Sequence, residues 1–131
     1  MQATVLASEI IARFILFSRW IRLDGTVRQD AFIPDDRLEL SVTRCSGVPE
    51  REIWGIAEGI ARVSGRNLHG KADVGVAVVR SNSLDVKASP QAENPYHADV
   101  VNWPARKDEQ KMAAMALAAV SQFRPPRLNP L

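Results

Sequence analysis

Two neighbouring stretches of this sequence carry different periodicities, and each leaves an apolar face that has to be covered. From Arg37 to Arg44, Leu38, Leu40 and Val42 alternate with Glu39, Ser41 and Thr43, the period of a half-buried strand. From Pro49 to Ser64, Ile53, Ile56, Ala57, Ile60 and Ala61 recur at helical spacing. Pro49 sits at a first helical position, Glu50 and Glu52 fall in the first turn where the helix dipole favours acids, and Gly65 supplies the stop. A one-sided strand and a one-sided helix bury their apolar faces against each other, which predicts an α+β fold.

The rest of the chain adds to that pair. A second helix is predicted from Arg106 to Phe123, with Met112, Met115, Ala116, Ala119, Val120 and Phe123 on the core-facing side and Lys107, Asp108, Glu109 and Lys111 outside. Asp24-Gly25 between β-rich runs signals a hairpin, with Ile10–Leu23 paired to Thr26–Ile33. A two-residue turn there sets Arg22 across from Val27, Ile21 across from Arg28 and Arg19 across from Asp30, the last as an ion pair. Ala72–Arg80 fits a strand or a short buried helix, and Gly75 with its valines favours the strand. Leu84–Ala88 and His97–Val101 read as short strands. The expectation is one α+β domain over residues 1–123, a mainly antiparallel sheet of about five strands with two amphipathic helices on one face, and a proline-rich tail over 124–131.

Composition narrows the functional classes. With 131 residues, 46% hydrophobic and 24% charged, the chain has the make-up of one globular core and not of a disordered segment. Its 17 basic and 15 acidic residues give a net charge of +2, too little for the broad positive field behind non-specific nucleic-acid binding. Cys45 is the sole cysteine, so no internal disulfide and no thiolate-rich metal site can form, which fits a reducing compartment. Two histidines, one cysteine and dispersed carboxylates lead us to expect neither a metal centre nor a cofactor. The start Met1-Gln-Ala-Thr-Val-Leu-Ala-Ser8 lacks a basic lead, and Glu9 and Arg13 interrupt its apolar run, so a cytoplasmic location without a membrane span is expected.

Candidate chemistry gathers in Asn94–Asp108, where a histidine, a carboxylate and two aromatics share fifteen residues with turn formers. Such density marks either a binding edge or a heavily specified corner of the fold. His97 and Asp99, two apart on a strand, leave by the same face, where the carboxylate can orient the imidazole as acid or base; the other reading is a structural histidine. Ser18, Ser41, Thr43 and Cys45 are available nucleophiles, and none lies in a nucleophile motif. His69 in Asn67-Leu-His-Gly-Lys71 fits an anion-binding loop or a connection needing positive φ at Gly70. Arg13, Arg19, Arg22, Arg28 and Arg44, interleaved with Phe14, Phe17 and Trp20, suit a phosphate-backbone or nucleotide surface or a solvated sheet face. Tyr96 and Trp103 form the preferred partner-binding patch, because indole and phenol rings dominate interface hot spots, and Trp54 reads as a lid on the core.

The segments His97-Ala-Asp-Val-Val-Asn-Trp-Pro104, Ala31-Phe-Ile-Pro34, Leu40-Ser-Val-Thr-Arg44 and Glu52-Ile-Trp54 resemble those of a group of small bacterial proteins of unknown function. The resemblance implies a bacterial, cytoplasmic protein and carries over no activity. Two functional classes are therefore expected. One is a non-catalytic binding or accessory module acting through a protein partner, with Tyr96, Trp103 and the arginines Arg19, Arg22, Arg28 and Arg44 as its surface and a homodimer as one form. The other is a small enzyme acting on a phosphorylated or nucleotide substrate, with His97 as acid or base, Asp99 orienting it and Arg19 or Arg44 holding the anion.

Overall fold

The period-two stretch becomes a strand at the middle of a six-stranded antiparallel sheet. The computed structural model describes residues 2–126. Its elements in chain order are β1 (Ile10–Ile15), β2 (Leu40–Arg44), α1 (Glu50–Val63), β3 (Gly70–Gly75), α2 (Val76–Ser81), β4 (Asp85–Ala88), β5 (His97–Val101), α3 (Lys107–Val120) and β6 (Gln122–Arg124). The strand order is β4-β5-β2-β1-β3-β6, and every pairing is antiparallel. The α+β class is as expected, with one strand and one short helix more than the sequence suggested.

Both faces of this sheet are covered. Ile11, Ile15, Leu40, Val42, Val74, Val86, Ala98 and Val100 point to one face and meet α2, α3 and the 3-10 turn Gln29–Phe32. Ala12 and Phe14 point to the other and meet Ile53, Trp54 and Ala57 of α1. The two long helices thus lie on opposite faces, not on one. The reason is parity: β1 is central and apolar on both sides, and only a second layer removes its other face from water.

The predicted long hairpin does not form. β1 ends at Ile15, the chain makes 3-10 turns at Ser18–Trp20 and Gln29–Phe32, and the two arms meet only at the bridge Ile21↔Val27. Asp24-Gly25 is a turn, but of the three-residue kind: Gly25 N–H donates to Arg22 O at 2.9 Å and Gly25 takes φ +87°, while Arg22 N–H donates to Thr26 O at 2.8 Å. The extra loop residue shifts the register by one, so Arg22 faces Thr26. Arg19 and Asp30 lie in separate turns and form no ion pair.

Two further segments depart from the sequence reading. Ala72–Arg80 divides at Gly75, strand before and helix after. The break lets Val76 and Val79 reach the core from α2. In α3 the helix is as predicted but its orientation is not: Ala114, Leu117 and Ala118 enter the core, while Met112, Met115 and Val120 face outward. Phe123 leaves the helix altogether and pairs with Ala72 in β6. Of the proline-rich segment, Arg124–Pro126 is described, with Arg124 in β6, and residues 127–131 lie outside the described range.

Gly70 is where β6 closes on the sheet. It takes φ +148°, and a Cβ there would collide with the Arg124 carbonyl oxygen and come within 2.6 Å of the Phe123 ring. Gly70→Ala is expected to cost about 2 kcal/mol through strain and overpacking, read as a lower urea midpoint with an unchanged slope.

Candidate functional site

The Asn94–Pro104 segment is fastened inward along most of its length. Asn94 is fully buried; its Nδ2 donates to Thr43 Oγ1 at 2.9 Å and its Oδ1 accepts from Tyr96 N–H at 3.1 Å. Trp103 is 6% exposed, and its indole N–H donates to the Val100 carbonyl at 2.9 Å. Gln110 Nε2 donates to Pro104 O at 2.8 Å and tethers α3 to the same corner. Of the two readings the segment allowed, its geometry is that of a specified corner.

His97 and Asp99 project from one face of β5, as strand parity requires, and Ser89 joins them. Ser89 Oγ donates to Asp99 Oδ2 at 2.8 Å and lies 2.7 Å from His97 Nδ1. The Ser89 carbonyl stands 3.1 Å from the same nitrogen and can only accept, which assigns the hydrogen to Nδ1. An imidazole donating from Nδ1 has no lone pair there for the serine proton, and that proton is already directed at Asp99. His97 Nε2 is 4.0 Å from Asp99 Oδ1, beyond hydrogen-bond reach. The adjoining cavity, lined by Phe14, Thr43, Ile60, Asn94 and His97 among others, measures about 70 Å³. Ligand pockets run to several hundred cubic ångströms, so this one holds no substrate-sized molecule. Chemically the set latches the end of β4 to β5, where Ser89 N–H also donates to His97 O at 2.9 Å.

The predicted arginine surface is dispersed. Arg19, Arg22 and Arg28 are exposed, but Arg44 is 4% exposed and lies in the core. It shares strand parity with Leu40 and Val42, so its guanidinium enters the apolar layer, where Nε and Nη2 each donate to the Glu9 carboxylate at 2.8 Å. Arg44 is therefore an internal tie and not a surface residue. Arg22 donates to the Val27 carbonyl at 2.9 Å across the turn, and Arg19 lies over the Phe17 ring. Arg13, which shares parity with Ile11 and Ile15, clamps Ala31 O and Ser41 O at 2.8 and 3.0 Å.

Tyr96 and Trp103 do not make one patch. Tyr96 packs on the α1 side, its hydroxyl donating to Glu52 Oε1 at 2.8 Å, a bond that raises the phenol pKa; Trp103 belongs to the opposite core. Burial, partly offset by Lys71, pushes the Cys45 thiol up to about 12, away from the thiolate form that a nucleophile uses. Near it, fully buried Lys71 donates to both oxygens of Asp73 at 2.7 and 2.9 Å, with Glu50 Oε1 at 3.6 Å. Among the described residues no three of His, Cys, Asp and Glu gather in a way that could hold a metal ion.

One feature left without a partner is the outer side of α3. From Met112 to Val120 every residue is Met, Ala, Leu or Val, so the helix has no polar face over those turns. Leu117, Ala114 and Ala118 take the core side, and directly opposite stand Met112, 70% exposed, and Met115, 54% exposed, with Ala119 beside them. An all-round apolar helix is ordinarily buried on both sides. The pattern was visible in the sequence, but with two apolar stripes available the periodicity pointed to the wrong one.

No family model, no curated protein and no solved structure matches this chain. The site therefore rests on its own geometry. No helix among the described residues is long and apolar enough to cross a membrane.

Proposed function

We propose that this chain is a non-catalytic protein-binding module of the bacterial cytoplasm, working through the outer side of α3, and that the surface is occupied by a second copy of the chain. The supporting observation is the run of exposed apolar side chains Met112, Met115, Ala119 and Val120 on a helix whose other side is already in the core. Contiguous apolar exposure of this kind marks an interaction surface, and methionine suits it because its flexible thioether adapts to a facing surface.

The spacing favours self-association. A two-fold axis passing between Met115 and Ala116 sets Met115 against Ala116 and Met112 against Ala119 of the second copy, large against small at each level. One helix pair buries little area, so the dissociation constant is expected in the micromolar range. The open sheet edges compete poorly, since β4 has four residues and β6 three.

Sedimentation equilibrium over micromolar to millimolar protein tests the reading. Wild type is expected to dimerise, and Met115→Glu, which sets a carboxylate from each copy against the apolar Ala116 of the other beside the axis, is expected to be monomeric. Because Met115 points away from the core, the folded monomer of that variant should keep its stability to within about 0.5 kcal/mol. A wild type that stays monomeric throughout, or a Met115→Glu variant that dimerises as well as wild type, overturns the assignment.

A further inference from the structure

Three connections meet beyond the end of α1: the turn after β1, the stop of α1 and the entry to β3. Phe17 comes from the first, Arg66 from the second and His69 from the third. Gly65, at φ +67°, ends α1 with its N–H on Arg62 O and the Arg66 N–H on Ala61 O, at 3.1 and 2.9 Å. Beyond that stop the Arg66 guanidinium lies 4.2 Å from the centre of the Phe17 ring, and the Arg19 guanidinium lies 4.5 Å from the same centre.

The two cations are thus held within about 9 Å of each other, roughly one Debye length at physiological salt. No carboxylate among the described residues forms an ion pair with either, and none lines the polar pocket of about 310 Å³ that Ser18, Arg19, Arg66, Asn67 and His69 surround. Arg44 and Lys71, the two cations that are 4% exposed or less, each have a carboxylate, whereas inward-pointing Arg13 is held by two carbonyls. We propose that this pocket binds a small phosphate-bearing molecule, its phosphate held between the Arg19 and Arg66 guanidiniums. Both forks are stacked on Phe17 and so keep N–H edges free for phosphate oxygens. Ser18 and Asn67 supply neutral donors at the rim. A shallow polar depression of this size suits a small ligand, whereas a net charge of +2 with interspersed acids provides no stripe for a long polyanion. The site is separate from α3, so it stands whether or not the chain dimerises.

Titration at constant ionic strength, following the arginine Nε–Hε resonances, decides it. Inorganic phosphate and phenyl phosphate are expected to shift the Arg19 and Arg66 signals saturably with millimolar or lower midpoints. Arg19→Gln and Arg66→Gln should each weaken binding about tenfold or more, while Arg51→Gln, the same charge loss on an exposed part of α1, should leave the midpoint unchanged. All three side chains are exposed, and unchanged melting temperatures would verify the fold. A linear response without saturation, or equal midpoints in all variants, overturns the site. Binding of a single-stranded oligonucleotide with no response to either small phosphate overturns the small-ligand assignment.

Discussion

Asp73→Ala is expected to destabilise the protein by about 4 kcal/mol, because it strands a buried ammonium. Lys71 is fully buried, and Asp73 is its principal partner through two short bonds. Glu50, 3.6 Å away, lies on the exposed side and offsets little of the loss. The reverse change should be milder. In Lys71→Met, Asp73 keeps the half-exposed Arg124 guanidinium at 2.8 Å as its partner. Replacing both by apolar residues of similar volume, Lys71→Met with Asp73→Leu, should recover most of the loss, since a buried pair and a packed apolar pair are often close in free energy. Urea unfolding of the four proteins tests this. An Asp73→Ala variant within about 1 kcal/mol of wild type would show that water reaches Lys71 Nζ and that the burial argument fails. Against a total stability of roughly 5–15 kcal/mol for a domain of this kind, the expected loss is a large share.

Glu9→Ala is expected to cost about 3 kcal/mol for the same physical reason on the other face. Arg44 would retain the Gln2 and Thr4 carbonyls, at 2.6 and 3.3 Å, which keeps the loss below that at Asp73. Glu9 also accepts from the Leu6 N–H at 2.7 Å, so the segment carrying Val5 into the core should loosen with it. Amide exchange at Leu6 is expected to speed up more than exchange in β5. The hydrogen bonds from Arg44, against the opposing effect of burial, hold the Glu9 pKa below the ordinary glutamate value. A folded-state pKa below the unfolded one means that the contribution is complete above the unfolded value and is lost as pH falls through the folded value. Stability should therefore decline below about pH 5 in wild type, and this part of the decline should be missing in Glu9→Gln. Parallel acid profiles for the two proteins would remove Glu9 from the account.

The candidate site divides along the same line as the fold. That His97 and Asp99 share a face was legible, because strand parity is local. That Ser89 stands between them, with its proton on Asp99, was not, because Ser89 arrives from the far end of β4 through a loop. Arg44 was read as a surface arginine, although it shares strand parity with Leu40 and Val42, the signal that sets it on the apolar side, where it pairs with a buried acid. Which acid depends on how the chain before β1 folds back. The Asp24-Gly25 turn was legible as a turn; its register was not, since one loop residue decides it.

The sequence by itself determined the elements whose signals are local. These are α1 with its proline, acids and glycine stop, the strands β2 and β5, the helical character of α3, and an α+β class in which strands and helices bury one another. Tertiary structure alone decided which faces are shared. It set α1 and α3 on opposite sides of a sheet whose central strand is apolar on both, broke Ala72–Arg80 at Gly75 so that α2 could fill the core, and turned Leu117 inward and Met112 outward on a helix apolar all round. Periodicity reports that a face is apolar. Only the volume left between packed layers determines which of two apolar faces is used.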